Sequence, residues 1–194
     1  MSSIIGHAAA GAAAYLACNR LVNNRSWWAL PVFTFLAICP DLDYFAVWLF
    51  GYTANPRISH SILFALVMSL LAWWCTRHLA KGTSTSTPFA ALLLAGLSHP
   101  LLDLSVGAHS VPLLWPFPNQ EVSAPGVLPS AGRLALGNYY LWRNLLIESA
   151  ILWPVLALFV ALARKVPIRS IACRALFVAP IWLFFLAWSL GLRR

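Results

Sequence analysis

Six apolar stretches, at residues 4–19, 27–50, 59–76, 88–106, 141–163 and 173–191, are separated by short polar or basic breaks. Their lengths sit around the roughly 20 residues that carry an α-helix across a bilayer. None shows the alternation of a half-buried strand. The pattern predicts an all-α, polytopic membrane bundle of five or six transmembrane or re-entrant helices, with residues 1–194 forming a single integral membrane domain. The first stretch is short and mildly apolar. Its His7-Ala-Ala-Ala-Gly-Ala-Ala-Ala run suits close helix packing, and both a spanning and a re-entrant reading stay open. In the second, Pro40 removes a backbone donor and predicts a break or kink just before Asp41 and Asp43.

Residues 107–140 interrupt the pattern. Gly107, Pro112, Pro116, Pro118, Pro125, Gly126, Pro129, Gly132 and Gly137 punctuate them, around an apolar patch at Leu113-Leu114-Trp115-Pro116-Phe117. This is a long extracytoplasmic loop whose aromatic patch suits the membrane–water interface. A lid over a site and an inert interfacial loop are both compatible with it. Polar linkers are expected at 82–87 and 165–170.

Composition sharpens the class. Hydrophobic residues make up 61% of the chain and charged residues 9%, which a water-soluble domain of this size could not bury. The net charge of +8 does not form a basic stripe; the cations flank the apolar runs, so no nucleic-acid partner is read from it. With six spans, Arg20, Arg25, Arg77, Lys81, Arg164, Lys165, Arg169 and Arg174 fall on one side. Arg57, Arg133, Arg143, Arg193 and Arg194 fall on the other. The first side is therefore expected to be cytoplasmic, with the Arg193-Arg194 pair arguing mildly against. Cys18, Cys39, Cys75 and Cys173 lie singly in apolar runs and read as small buried hydrophobes. The start has no basic region and His7 interrupts its apolar run, so the first segment is expected to be retained.

Against this background the acidic residues stand out. Only five occur, and four of them, Asp41, Asp43, Asp103 and Glu148, sit in or at the ends of the oiliest stretches, as do His7, His60 and His99. Each intramembrane charge costs roughly 2.5–3.5 kcal/mol, so four impose a penalty on the order of 10 kcal/mol without compensation. The six-span arrangement brings all seven toward the outward face. A divalent metal is the simplest compensation.

His99 and Asp103, spaced i, i+4, share one helix face and make a chelating pair. The Pro40 break lets both Asp41 and Asp43 turn inward, one to a metal and the other to a second metal or a ligand imidazole. His60, followed by Ser61, enters from the next span. Nitrogen and oxygen ligands without thiolate suit zinc, with manganese or iron as alternatives. The carboxylate count suits more than one ion, between one and three. A metal lowers the pKa of a bound water toward about 7, and Glu148, Asp43 or Ser61 are the candidates for catalytic roles beside it. Helix–helix hydrogen bonding is the competing explanation for any one of these residues. Glu148 could instead pair with Arg143 or Arg57; His7 is similarly open, and His109 is balanced between ligand and solvated residue. His78 and Glu121 read as loop residues.

The same residues resemble a known group. Gly6-His7, Pro40-Asp41-Leu42-Asp43, Ser59-His60-Ser61, Ser98-His99-Pro-Leu-Leu-Asp103 and Val111-Pro112-Leu113-Leu114-Trp115-Pro116 stand in the order of the YdjM-like family of LexA-regulated, inner-membrane, metal-dependent hydrolases. The resemblance runs to about residue 150. It implies a metal site at His7, Asp41, Asp43, His60, His99 and Asp103, with Glu148 a further member. Where family members carry a His-Arg-Gly-x-Thr-His-Ser run, this chain has Asn55-Pro56-Arg57-Ile58-Ser59-His60-Ser61, without the first histidine. The ligand types are also distantly similar to zinc-dependent phospholipase C, the sole warrant for a phosphoester.

The expectation is a multi-pass protein of a bacterial-type inner membrane, its metal site facing the extracytoplasmic side. It would hydrolyse a lipid-linked ester, foremost a phosphoester, on a lipid or amphipathic substrate. The alternatives are an amidase resembling the membrane ceramidases, a proton or metal-ion transporter using the His/Asp cluster as a relay, and a regulatory protein with a relic site.

Overall fold

The computed structural model describes residues 3–18, 27–51, 55–79, 87–107, 110–117, 121–130 and 135–192. His109, the linker at 82–86 and the cations Arg20, Arg25, Lys81, Arg133, Arg193 and Arg194 lie outside the described residues. Among these described residues, seven α-helices follow in order: α1 (Ile4–Cys18), α2 (Ala29–Ile38), α3 (Asp43–Phe50), α4 (Ile62–Leu79), α5 (Phe89–Val106), α6 (Tyr139–Ala163) and α7 (Ile168–Gly191). Short 3-10 turns at Cys39–Leu42 and Ile58–His60 lead into α3 and α4. The helical membrane bundle read from the sequence is the observed fold.

Among the described residues, four segments are long and apolar enough to cross a bilayer: Ala29–Val47, Phe89–Val106, Tyr139–Ala163 and Ile168–Gly191. The apolar helices at Ile4–Cys18 and Ile62–His78 are shorter. At 1.5 Å per residue, the 15 residues of α1 reach about 22 Å, short of the roughly 30 Å hydrocarbon layer. Seven α1 residues, among them His7, Gly11 and Tyr15, are buried. α1 is thus an inner helix, packed on α2, α5 and α6.

Small side chains permit that position. A Cβ on Gly11 would come within 2.6 Å of the Phe33 carbonyl oxygen and 2.9 Å of the Ala37 Cβ, so only glycine allows α1 and α2 this close. At one end of the bundle an apolar core joins Ala14, Tyr15, Phe33, Leu36, Leu92 and Ala95. There Arg164 at the end of α6 donates to the Leu16 carbonyl at 2.9 Å.

The other end is organised by the loop after α5. Gly107 closes α5 at φ 63°, and a Cβ there would overlap Ala124 and Gly126 of the same loop. The loop then pairs Val111 with Val122. It donates from Val127 and Leu128 to the Ser105 carbonyl, at 2.6 and 2.9 Å, and accepts the Ile62 N–H on Leu113 at 3.0 Å. Its Leu128 is buried against Val106, Ile147 and Ile151. The described parts of the loop are therefore packed across the ends of α4, α5 and α7 rather than loose.

A candidate metal centre

Local structure explains how five polar side chains reach one point. Pro40 has no N–H for the Leu36 carbonyl, and the chain tightens into a 3-10 turn that carries Asp41 inward. The orphaned Leu36 carbonyl accepts the Cys39 thiol at 3.4 Å. The same tightening releases the Ala37 carbonyl from the helical ladder, and the His99 Nδ1 meets it at 2.8 Å. α5 supplies both His99 and Asp103 from one face, as their spacing predicts. α1 contributes His7, and the turn before α4 contributes His60.

All five are buried: His7 and His99 at 0%, His60 at 3%, Asp103 at 4% and Asp41 at 7% exposure. His60 Nε2 lies 3.5 Å from Asp41 Oδ1 and 3.3 Å from Asp103 Oδ2. His99 Nε2 lies 3.7 Å and 3.5 Å from the same two oxygens. The Asp41 Oδ1, His60 Nε2 and His99 Nε2 atoms have no hydrogen-bond partner among the described residues.

The tautomers explain why. A carbonyl only accepts, so His99 Nδ1 carries the proton that reaches Ala37. Ser59 Oγ donates its one hydrogen to Asp43 Oδ2 at 2.9 Å, so the 3.0 Å contact with His60 Nδ1 has the imidazole as donor. Both Nε2 atoms therefore present lone pairs, and they face carboxylate oxygens that also only accept. Four acceptor atoms meet with no donor among them, an arrangement that burial makes costly.

A cation resolves the conflict, and the dimensions fit one. Bonds of 2.0–2.2 Å to a tetrahedral zinc place its ligands roughly 3.3–3.6 Å apart. The four nitrogen–oxygen separations above run from 3.3 to 3.7 Å. The His60 and His99 rings are nearly perpendicular, at 74°, which lets two in-plane lone pairs converge. Two groups, His60-His99-Asp103 and His7-Asp41-His99, have ligand atoms close enough to hold an ion.

The remaining expected residues lie around this centre. Asp43 turns to Arg57, which binds both its oxygens, and its Oδ2 is 4.0 Å from His60 Nδ1. It stands behind the ligand imidazole, orienting it through Ser59 as outer-shell groups do. Ser61 Oγ donates to the Ile58 carbonyl at 2.7 Å and accepts the Phe64 N–H at 3.1 Å, which caps α4. Glu148 is outside both ligand groups. Its carboxylate accepts the Ser3 N–H at 3.0 and 3.2 Å, pinning the start of α1 to α6, four residues before His7. It does not pair with Arg57 or Arg143; the latter bonds Asn144.

Sequence reasoning passed over two contributors. Ser59 was legible only as part of a Ser-His-Ser run. Arg57 is 29% exposed, stacks 4.5 Å over the Tyr44 ring and has its NH2 3.8 Å from Asp41 Oδ1. Burial pulls its guanidinium down, but the Asp43 carboxylate more than reverses this, so its pKa is raised and it stays charged. A lone cation in the loop before α4, beside an acidic cluster, was the available signal. The Ala37 carbonyl gave none, because every residue has one.

Fold and site together define a helical membrane protein with a buried histidine–aspartate centre able to hold metal. The chain belongs to the YdjM inner membrane protein family, whose model matches residues 1–190. No curated protein and no solved structure matches the chain.

Proposed function

We propose that the protein is a membrane-embedded metal-dependent hydrolase that cleaves a lipid-linked ester, specifically a phosphoester. One observation carries the reading: imidazole lone pairs and carboxylate oxygens facing one another, buried, at the spacing of a divalent ion's ligands. A bound divalent ion of the zinc, manganese or iron type supplies Lewis acidity and a nucleophilic water at neutral pH. His60, His99 and Asp103 would hold it, three ligands that leave a position for that water, with Asp41 beside them. The Asp43 side chain, 22% exposed against 5% and 3% for the side chains of Asp41 and Asp103, is the carboxylate of the centre most open to solvent. Arg57, paired with Asp43 and with its Nη2 3.8 Å from Asp41 Oδ1, sets guanidinium N–H groups at the edge of the centre, a donor arrangement that suits phosphoryl oxygens. That favours the phosphoester over the ceramidase-like alternative.

A relay across the membrane would need polar groups continuing inward. The core of Phe33, Leu36, Leu92 and Ala95 lies in that direction, which supports a site over a path. The uneven distribution of cations supports an extracytoplasmic position for the centre. The test is incubation of the zinc-loaded, detergent-purified protein with phosphatidylethanolamine and phosphatidylglycerol vesicles, with products read by mass spectrometry. Release of a phosphorylated head group that disappears in His99→Ala is expected. A metal-replete wild type that leaves every phosphoester intact across a lipid panel would sink the reading.

A further inference from the structure

The two aspartates do not point one oxygen at the cluster; they use both. Asp41 Oδ1 and Asp103 Oδ2 face His60 and His99, whereas Asp41 Oδ2 lies 3.8 Å and Asp103 Oδ1 3.5 Å from His7 Nε2. The rings of His7 and His99 stack, with centroids 3.8 Å apart and planes within 16° of parallel. An imidazole binds metal through a lone pair in its own ring plane. The ligand atoms of His7 and His99 are close enough together for one ion, but two nearly parallel planes so separated do not meet within bonding distance, so the ring orientations direct the two imidazoles to separate ions. His60 and His99, at 74°, can.

We propose that the centre holds two divalent ions bridged by Asp41 and Asp103, a deepening that rests on the metal reading above. One ion takes His60 Nε2, His99 Nε2, Asp41 Oδ1 and Asp103 Oδ2. The other takes His7 Nε2, Asp41 Oδ2 and Asp103 Oδ1. The ring separation of 3.8 Å is of the order of the about 3.5–4 Å between the ions of two-metal sites. The second position has three protein ligands, the number that leaves one open for water or substrate. Two divalent ions against two carboxylates leave a net charge of about +2 at the centre, and the neighbouring Arg57–Asp43 pair leaves that balance unchanged. The substrate class that follows is anionic.

The test uses the full chain in detergent and the metal alone. Wild type should bind two Zn²⁺ per chain by elemental analysis. His7→Phe, which keeps a ring to stack on His99 and removes the lone pair, should bind one. Loaded with Mn²⁺, wild type should give the exchange-coupled spectrum of a spin pair, and His7→Phe the six-line signal of an isolated ion. Saturation of wild type at one ion, an uncoupled Mn²⁺ spectrum, or two ions retained in His7→Phe would each overturn the pair. The Mn²⁺ spectrum of wild type decides the matter even if the variant fails to fold. Two ions without ester cleavage would leave the pair standing and defeat the hydrolase; one ion with cleavage would do the reverse.

Discussion

α5 and α7 are both apolar helices of spanning length, yet 44% of the α5 window is buried and 0% of the α7 window. α5 sits against α1, α2 and α4, whereas α7 packs on α6 and leaves Leu176 and Phe177 at 74% and 78% exposure. Hydrophobicity does not separate them, since lipid accepts an exposed leucine as readily as the protein interior does. Packing separates them. Gly96 on α5 approaches Ser69 and Ala65 on α4 too closely for a side chain, and polar residues appear where such contacts exclude lipid. In this bundle the small and polar residues, not the large apolar ones, mark the inside.

The sharpest way to break that contrast is to remove a ligand from the packed half. His99→Ala or Asp103→Ala should abolish bound zinc, a larger loss than the roughly 10–100-fold typical of outer-shell changes, as elemental analysis of folded, purified protein would show. Unchanged metal content would end the metal reading. Next, Gly11→Leu should force α1 from α2 and cost about 1–3 kcal/mol, read as a lower melting temperature in detergent. A smaller effect is expected for Ser59→Ala, which takes away the acceptor of the His60 proton. Zinc affinity, measured by chelator competition, should fall about tenfold. Glu148→Gln keeps an oxygen for the Ser3 N–H but loses its charge at the start of α1. It should cost about 0.3–1 kcal/mol of stability with zinc content unchanged, and loss of zinc would make Glu148 a ligand. At the bottom of the scale, Leu176→Ala and Phe177→Ala on α7 should shift stability by no more than about 0.5 kcal/mol. A large effect there would mean that α7 has a protein neighbour.

The six apolar stretches and the His99/Asp103 pairing were legible because both depend on spacing alone, although the second stretch is two helices, α2 and α3, on either side of the Pro40 turn. The convergence of His7, Asp41, His60, His99 and Asp103 was legible through topology: alternate helix ends fall on one side. Division of labour among the carboxylates was not. Asp43 and Glu148 have the same chemistry as Asp41, and what distinguishes them is a neighbour, Arg57 for one and the Ser3 amide for the other. Such pairings arise from side-chain directions at chain breaks, which periodicity does not encode. The interruption predicted at Pro40 was correct, but its use of two freed carbonyls could not be read from residue types.

That interruption has a wider consequence. Proline in a lipid-embedded helix is usually judged by the stability it removes, and here the vacated Ala37 oxygen chooses which nitrogen of His99 stays bare. Pro40→Ala would restore a continuous helix and withdraw that anchor. The imidazole could then rotate, and the mended helix would belong to a protein less able to keep its ion.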